Sequence, residues 1–231
     1  MKNNAQQWQR LELASSLPGM RHNIFAYGPP GTGKSYAAAR TPDGRAPVVV
    51  TITPETSAAD LVGYYILGSS GTYVWQDGPA TRAWREGRRL VVNEIDRIGG
   101  DATAVMHSIL DEPETAVMHL SNGEIIKPAK GFHCIATSNL EPEDALTTDA
   151  MRDRFQIKLK VGSPHPKAIE SLDHDCRNAA VGGFGTPGAP SMRQWRSFCE
   201  LRSQVGDRTA GELVFGENAE AIIDSLAVAN S

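Results

Sequence analysis

The chain has 231 residues, of which 40% are hydrophobic and 22% charged, and its formal net charge is −4 at pH 7. This length suffices for one large domain or for a core domain with a small appendage, and we expect the second arrangement. The acidic balance provides no overall basic field, so we expect no nucleic-acid or membrane-surface partner. Residues 1–20 carry no secretory signal and no run of about 18 apolar residues occurs, so we expect a cytoplasmic protein without a membrane span. The three cysteines have no zinc-site spacing and are expected to be reduced thiols.

A glycine-rich segment is the strongest chemical signal in the chain. It reads Gly28-Pro29-Pro30-Gly31-Thr32-Gly33-Lys34-Ser35 and matches the pattern G-x-x-x-x-G-K-[ST] at every fixed position. The glycines allow turns that bring backbone N–H groups toward phosphate oxygens, Lys34 can reach the β- and γ-phosphates, and Ser35 offers a hydroxyl to Mg²⁺. The segment is preceded by a short buried strand pattern and followed by a helix pattern. The sequence therefore predicts a site for a nucleoside triphosphate and Mg²⁺.

A second landmark is the stretch 88–97, a short apolar strand that runs into acidic residues. In phosphate-loop ATPases, a strand end of this kind handles Mg²⁺ and the attacking water. We predict that Glu94 is the general base that polarises this water; the alternative is a strand end with solvated acids. The preceding position, where such sites carry the Asp that holds a water molecule of Mg²⁺, is occupied by Asn93. An amide keeps an acceptor oxygen but lacks the negative charge, so we expect Mg²⁺ to bind less tightly and Ser35 to contribute more to its binding.

Three more segments have the composition of strands. Residues 48–53 are rich in β-branched side chains, residues 132–139 form a buried apolar run, and residues 156–161 alternate in the manner of an edge strand. Strands and helices in this order predict the α/β class, with a parallel sheet flanked by helices. Asn139 stands at the tip of the 132–139 strand, where it would orient the attacking water with Glu94 or simply cap the strand.

Two hairpins are expected within this α/β domain. An aromatic and glycine-rich stretch indicates a helix interrupted by a hairpin at about residues 62–77. Its aromatic side chains are as consistent with the core as with a surface; they are Tyr64, Tyr65, Tyr73 and Trp75. The dipeptide Asn122-Gly123 between alternating residues indicates a second hairpin at about residues 117–128.

The composition becomes helical beyond Gly162-Ser163-Pro164, which indicates a hinge. We expect a nucleotide-binding core at residues 1–162 and a small helical domain at residues 163–231. The helices of this second domain are predicted at residues 165–180, 191–205 and 217–229. A leading helix at residues 6–17 lies either near an adenine pocket or elsewhere as a plain packing helix.

Together these residues resemble the AAA+ ATPases, within the branch that contains MoxR-like, CbbQ-like, CobS-like and dynein-related proteins. The resemblance extends from about residue 22 to about residue 201. Its motifs are Gly28 to Ser35, Asp60-Leu61-Val62-Gly63, Gly78-Pro79 to Gly87, Glu94-Ile95-Asp96-Arg97, Ala136-Thr137-Ser138-Asn139 and Met151-Arg152-Asp153-Arg154-Phe155. The resemblance implies an AAA+ core with a C-terminal helical lid, and Mg²⁺-dependent hydrolysis of ATP. Asn93 departs from the Asp of the family, which puts the hydrolysis rate in doubt.

The resemblance also implies a homo-oligomeric ring, usually of six subunits, with ATP at each subunit boundary. In such rings the strand-end Asn senses the γ-phosphate, which corresponds to Asn139. An arginine finger reaches the neighbour's ATP, which corresponds to Arg154, with Arg152 as the second choice. An Arg in the lid contacts the nucleotide of its own subunit, and Ser191-Met192-Arg193 matches that pattern through Arg193. The two hairpins correspond to insertions that line the pore or contact substrates.

The function implied is that of a MoxR-type remodelling chaperone that hydrolyses ATP to mature a protein client. Such ATPases often act beside a protein with a von Willebrand factor A domain, so a separate partner chain is expected. The alternative is a nucleotide-gated assembly scaffold in which Asn93 has reduced turnover to near zero. A nucleic-acid motor is the third possibility, disfavoured by the acidic balance of the chain.

Overall fold

The computed structural model describes residues 2–17, 22–41, 44–146, 148–186 and 188–229. Within these residues the strands are β1 (Ile24–Tyr27), β2 (Val48–Thr51), β3 (Gly63–Leu67), β4 (Tyr73–Asp77), β5 (Arg89–Asn93), β6 (Met118–His119), β7 (Ile125–Ile126), β8 (His133–Ser138) and β9 (Ile157–Lys160). The helices are α1 (Lys2–Ser16), α2 (Lys34–Ala38), α3 (Ala58–Val62), α4 (Pro79–Glu86), α5 (Gly100–Ile109), α6 (Pro142–Ala145), α7 (Asp149–Asp153), α8 (Pro166–Glu170), α9 (His174–Gly182), α10 (Met192–Val205), α11 (Asp207–Phe215) and α12 (Ala219–Ala229).

The chain divides into two compact units. We call them the sheet unit, which contains Gln9–Gly28 and Lys34–Lys160, and the helical unit, which contains Met1–Trp8, Pro29–Gly33 and Val161–Ser231. None of the helices in the described part of the chain is both long enough and apolar enough to cross a membrane.

Five parallel strands of the described residues form the main sheet, in the order β2-β5-β8-β1-β9. The inner strands β5 and β8 are almost wholly buried, as expected for the centre of a parallel sheet. The alternating strand β9 lies at the edge, where its pattern predicted it. The α/β fold predicted from the sequence is therefore confirmed. Because the strands run in one direction, the carboxyl ends of β1, β5 and β8 meet at one edge, next to Gly28, Asn93 and Asn139.

The core of the sheet unit is built around large apolar side chains. Phe25 of β1, Trp84 of α4 and Phe155 are fully buried, and the rings of Phe25 and Phe155 lie 5.6 Å apart. Helix α4 runs from Pro79 to Glu86 and is capped by Gly87, whose φ of 58° is in the left-handed region that favours glycine. This packing holds in place the strands of the main sheet, whose carboxyl ends are described below.

A buried amide crosslinks three parts of the sheet unit. The Nδ2 group of Asn23 donates to the carbonyl oxygens of Leu110, at 2.9 Å, and Arg154, at 3.0 Å. The Oδ1 atom of Asn23 accepts a hydrogen bond from the backbone N–H of Cys134 at 3.1 Å. The position of the Arg154 backbone is thus fixed relative to the end of α5 and to β8.

The first hairpin, β3–β4, lies between α3 and α4 and leaves most of its side chains in solvent. Tyr64, Tyr65 and Tyr73 are 44%, 48% and 73% exposed, whereas Trp75 is half-buried and donates its indole N–H to Asp77 at 2.7 Å. Three of the four aromatic side chains therefore lie on the surface, which is one of the two possibilities that the composition allowed. The second hairpin pairs β6 with β7 around the Asn122-Gly123 turn.

The helical unit has its own core, which includes Trp195, Phe198 and Phe215. The prediction of one helix at residues 165–180 was wrong, because Ser171 to Asp173 form a turn between α8 and α9. Helix α11 was not predicted. It follows Gly206, whose φ of 80° ends α10 and redirects the chain into a new helix at Asp207.

Candidate functional site

The glycine-rich segment joins β1 to α2 and has the backbone that its sequence predicts. Gly28, Gly31 and Gly33 have φ values of 141°, 77° and 101°, which side-chain-bearing residues rarely adopt. Within the helical unit, a Cβ atom at Gly33 would stand 3.1 Å from the Cβ of His165, and the carbonyl oxygen of Thr32 accepts a hydrogen bond from the His165 N–H at 2.8 Å. The glycines are therefore required by the backbone conformation, and at Gly33 by close packing as well.

Lys34 and Asn139 lie together at the carboxyl edge of the sheet. The ammonium group of Lys34, which is 7% exposed, donates to the Gly28 carbonyl oxygen at 2.7 Å and to Oδ1 of Asn139 at 3.1 Å. Burial lowers the pKa of Lys34 to about 8, and the negative charge of Asp96 opposes this shift. The two groups that were predicted to face the γ-phosphate, more than 100 residues apart in sequence, are thus in direct contact.

Asn93 and Ser35 are the residues that would hold Mg²⁺. Asn93 ends β5. Its Oδ1 atom accepts a hydrogen bond from the Thr137 hydroxyl at 3.1 Å. The second lone pair of this oxygen can accept another hydrogen bond. Ser35 is exposed in the first turn of α2. A hydroxyl and an amide oxygen fit the preference of Mg²⁺ for oxygen ligands, but both are neutral, so the phosphates would supply most of the negative charge.

Glu94 follows β5 in a strained backbone conformation. Its φ of 56° and ψ of 44° are left-handed, and no other non-glycine residue of the described ranges has a positive φ. Such a conformation costs about 1–2 kcal/mol for a residue with a side chain. One carboxylate oxygen, Oε2, pairs with Nε of Arg97 at 2.8 Å, while 40% of the side chain remains exposed. The predicted base is therefore accessible to water, with an arginine partner that the sequence reading did not assign.

Asp96 is a site residue for which no role was predicted. Its Oδ1 accepts a hydrogen bond from the Ser138 hydroxyl at 2.6 Å, and the Ser138 oxygen accepts one from the Leu140 N–H at 2.9 Å. Ser138 is 1% exposed. The two hydrogen bonds bracket Asn139 and join its strand end to the turn that contains Glu94.

Arg154 and Arg152, the two candidates for the arginine finger, form ion pairs within the sheet unit. Arg154 pairs with Asp111, and it also donates to the carbonyl oxygens of His107, at 3.1 Å, and Ala150, at 3.0 Å. Arg152 pairs with Asp149 and donates to the Leu146 carbonyl oxygen at 2.6 Å. These contacts are with the end of α5 and the surroundings of α7 rather than with Lys34 or Glu94.

Arg193 is exposed in the first turn of α10, whose N-terminus is capped by Ser191 and Gln194. A Cβ atom placed on Gly31, which belongs to the same helical unit, would lie 3.7 Å from the backbone nitrogen of Met192. Within this unit, the start of α10 is therefore adjacent to the tip of the glycine-rich segment.

Comparison with known proteins agrees with this geometry. A family model for the AAA domain of the dynein-related subfamily matches residues 23–155, which is more than half of the chain. Protein NorQ of Paracoccus denitrificans is 36% identical over 159 residues, covering 66% of this chain and 55% of NorQ. Protein CbbQ of Hydrogenophilus thermoluteolus is 33% identical over 133 residues, covering 56% and 48%. The denitrification regulatory protein NirQ of Stutzerimonas stutzeri is 38% identical over 85 residues, covering 37% and 30%. The matched regions thus span about half or less of these relatives.

A solved structure shares the fold at low sequence identity. NtrX from Brucella abortus, determined in complex with ADP, has a TM-score of 0.57 and 14% identity, covering 98% of this chain and 68% of NtrX. The family match leads to one conclusion. The chain belongs to the dynein-related subfamily of AAA domains.

Proposed function

We propose that this protein binds ATP with Mg²⁺ and hydrolyses it at the carboxyl edge of its sheet. The contact of Lys34 with both Gly28 and Asn139 carries the proposal, because it brings a buried cation and a polar amide to the place where the glycine-rich segment begins. In the proposed complex, Lys34 exchanges these partners for oxygens of the β- and γ-phosphates. The residues proposed to cradle the phosphates are Gly28, Pro29, Pro30, Gly31, Thr32, Gly33, Lys34 and Ser35.

The chemical step assigned to this chain is activation of water. The Glu94 carboxylate accepts a proton as the water oxygen bonds to the γ-phosphorus and the bond from that phosphorus to the oxygen of the β-phosphate breaks, so that ADP leaves. The Asn139 amide orients the water and the phosphate. Ser35 would hold Mg²⁺ directly and Asn93 would hold it through a water molecule, and the ion would neutralise part of the negative charge of the phosphates. Arg193 contacts the nucleotide of its own chain, while Arg154 from a neighbouring subunit, with Arg152 as the second choice, stabilises the developing charge.

A steady-state assay with ATP and Mg²⁺ tests this function. Glu94→Gln should abolish phosphate release while nucleotide binding persists, because the amide cannot accept the proton. Glu220→Gln, an exposed substitution in α12, is the matched control and should match the wild type. Phosphate release that is the same in the Glu94→Gln and wild-type proteins would contradict the role of Glu94.

The biological role that we propose is MoxR-type remodelling by a homo-oligomeric ring of six subunits. The ring acts on a protein client beside a partner with a von Willebrand factor A domain. The relatives support the family, and the exposed apolar side chains of β3–β4 support a contact surface for other chains. In this scheme residues 1–162 serve as the ATP-binding core and residues 163–231 as the lid, in the cytoplasm. Light scattering with and without ATP would measure the ring, and pull-down with the full-length partner would test the association.

A non-hydrolysing scaffold remains the second candidate, because the neutral side chain of Asn93 favours it. A carboxylate at that position would add a full negative charge near Mg²⁺, which the amide lacks. If the scaffold hypothesis holds, ATP promotes assembly while turnover stays at background with and without the partner. Turnover that depends on Glu94 would exclude it.

A further inference from the structure

One short hydrogen bond joins the two strand ends that carry Glu94 and Asn139. The Asp96 carboxylate lies two residues after Glu94, in the 3-10 turn Ile95–Arg97, and accepts the Ser138 hydroxyl at 2.6 Å. Ser138 immediately precedes Asn139 and is 1% exposed. The turn after β5 and the turn after β8 are thus linked by a side-chain contact in addition to the ladder between the strands.

The Ser138 hydroxyl has a single hydrogen, and this fixes its role in the link. Because that hydrogen is donated to Asp96, the oxygen must act as acceptor toward the backbone N–H of Leu140 at 2.9 Å. The second bond closes a turn in which a serine oxygen binds the N–H two residues later. The residue inside this turn is Asn139, whose amide oxygen reaches Lys34 at 3.1 Å. Asp96 therefore fixes the orientation of the Ser138 hydroxyl group, and the oxygen of that group closes the turn that contains Asn139.

We propose that Asp96 is a positioning residue that fixes the placement of Asn139 relative to Glu94, through the Ser138 hydroxyl. This inference rests on the proposed function of those two residues and extends it. Asp96 itself touches neither water nor phosphate in this scheme. Its loss should let the Asn139 turn shift, and misplacing a group in an active site by about 1 Å can reduce a rate about 100-fold.

Two truncations and one conservative substitution test the link in the full-length protein. Asp96→Ala and Ser138→Ala should each lower kcat by about 10- to 100-fold with little change in the Kd for ATP. The double variant should be no slower than Ser138→Ala, because that truncation already removes the bond to Asp96. Asp96→Asn keeps an acceptor oxygen for Ser138 and should retain most of the activity. Asp101→Asn, which removes a carboxylate that accepts the Ala58 N–H, is the control and should match the wild type.

Several outcomes would overturn the inference. They are additive losses in the double variant, Asp96→Asn as slow as Asp96→Ala, a parallel loss of ATP binding, and unchanged kcat in both truncations. The wild-type and Glu94→Gln proteins are measured in the same series, so that failure of the proposed hydrolysis is recognised separately. If the wild type binds ATP without turnover, the readout becomes the ratio of ATP to ADP affinity. Both truncations should then lower that ratio about tenfold, as Asn139→Ala should, and an unchanged ratio would overturn the inference.

Discussion

Arg154 and Asp111 form an ion pair in which Nε lies 2.9 Å and Nη2 lies 2.7 Å from the same carboxylate oxygen. The pair joins the residue after α7 to the end of α5. The ion-pair partner of Arg154 is therefore neither Asp149 nor Asp153, the two acidic residues nearest to it in sequence. An arginine that acts on a neighbouring subunit would therefore have to keep part of its guanidinium group free or exchange Asp111 for a phosphate.

The first prediction concerns this exchange. Arg154→Ala should reduce turnover by about 10³-fold or more and leave ATP binding by each subunit intact, because we propose that this residue acts on the nucleotide of a neighbouring subunit. Rings mixed from Arg154→Ala and Glu94→Gln subunits, each inactive alone, should recover activity measured as phosphate release. Failure to recover in rings shown to be mixed would argue against a finger from the neighbour.

Asp111→Asn, which preserves Arg154, should retain turnover and lower the free energy of unfolding by no more than about 1 kcal/mol, because the pair is partly exposed.

The second prediction concerns Lys34. Lys34→Ala should abolish ATP binding measured by calorimetry, because it removes the cation proposed to reach the phosphates and leaves a cavity where a buried ammonium stood. Lys130→Ala, at an exposed position, should bind ATP like the wild type. Equal ATP affinity in the two variants would disprove the assignment of the phosphate site.

The third prediction concerns Asn93. Asn93→Asp should raise turnover or lower the Mg²⁺ concentration needed for half-maximal rate, because it adds one negative charge near the ion while still accepting the Thr137 hydroxyl. A Mg²⁺ titration of the rate measures both effects. Asn178→Asp adds the same charge on the exposed side of α9 and should change neither. If Asn93→Asp also changes neither, Mg²⁺ is held by other groups.

The fourth prediction concerns Arg85, which connects the two hairpins. Its Nε binds Asp77 of β4 at 2.8 Å, and its Nη2 binds Glu124 beside the second hairpin. A double-mutant cycle with Arg85→Ala and Glu124→Ala should give a coupling energy of about 0.2–1 kcal/mol in the free energy of unfolding, as expected for partly exposed pairs. A coupling energy of zero would mean that the hairpins are held independently.

The fifth prediction concerns the helical unit. Arg202 of α10 binds Asp175 at 2.7 Å and Asp207 at 2.8 Å. Burial alone would raise the pKa of Asp175, but the hydrogen bond and charge of Arg202 outweigh it and hold this pKa below its ordinary value of 3.8. A lowered pKa in the folded state stabilises the fold above pH about 4 and ceases to do so as the pH falls through the folded value.

Asp175→Asn should therefore lower the free energy of unfolding near pH 7, by about 1 kcal/mol or less for a partly exposed pair. The difference from the wild type should shrink as the pH falls below about 4. Urea denaturation at several pH values measures both. A difference that stays constant with pH would exclude the ion pair as its source.

The sequence predicted those parts of the site that depend on local pattern. The glycine-rich segment, the strand ends at Asn93 and Asn139, and the edge position of β9 follow from residue type and spacing. The pairs Arg154–Asp111 and Asp96–Ser138 could not be predicted, because each joins residues more than 40 positions apart. Their meeting depends on the order of strands in the sheet, which a single sequence does not specify.

Exposure of the first hairpin could not be predicted either. Aromatic residues at alternating positions fit a buried strand as well as an exposed one, and only the absence of a covering element in the described residues decides between them.

Helix α11 was missed for a different reason. Gly206-Asp207 is a turn signal, but a glycine of positive φ that separates two helices without a longer loop looks the same in sequence as one that ends a single helix.

The left-handed backbone conformation of Glu94 affects which substitutions this position tolerates. Glycine would adopt the same φ and ψ without strain, so Glu94→Gly should produce a protein that is more stable and chemically inactive, whereas a β-branched residue would be disfavoured by shape alone. A chain that needed nucleotide only for assembly would gain stability from that glycine and lose only the contact with Arg97. The glutamate at this strained position therefore supports the proposed role of Glu94 in hydrolysis, at the expense of a less stable fold.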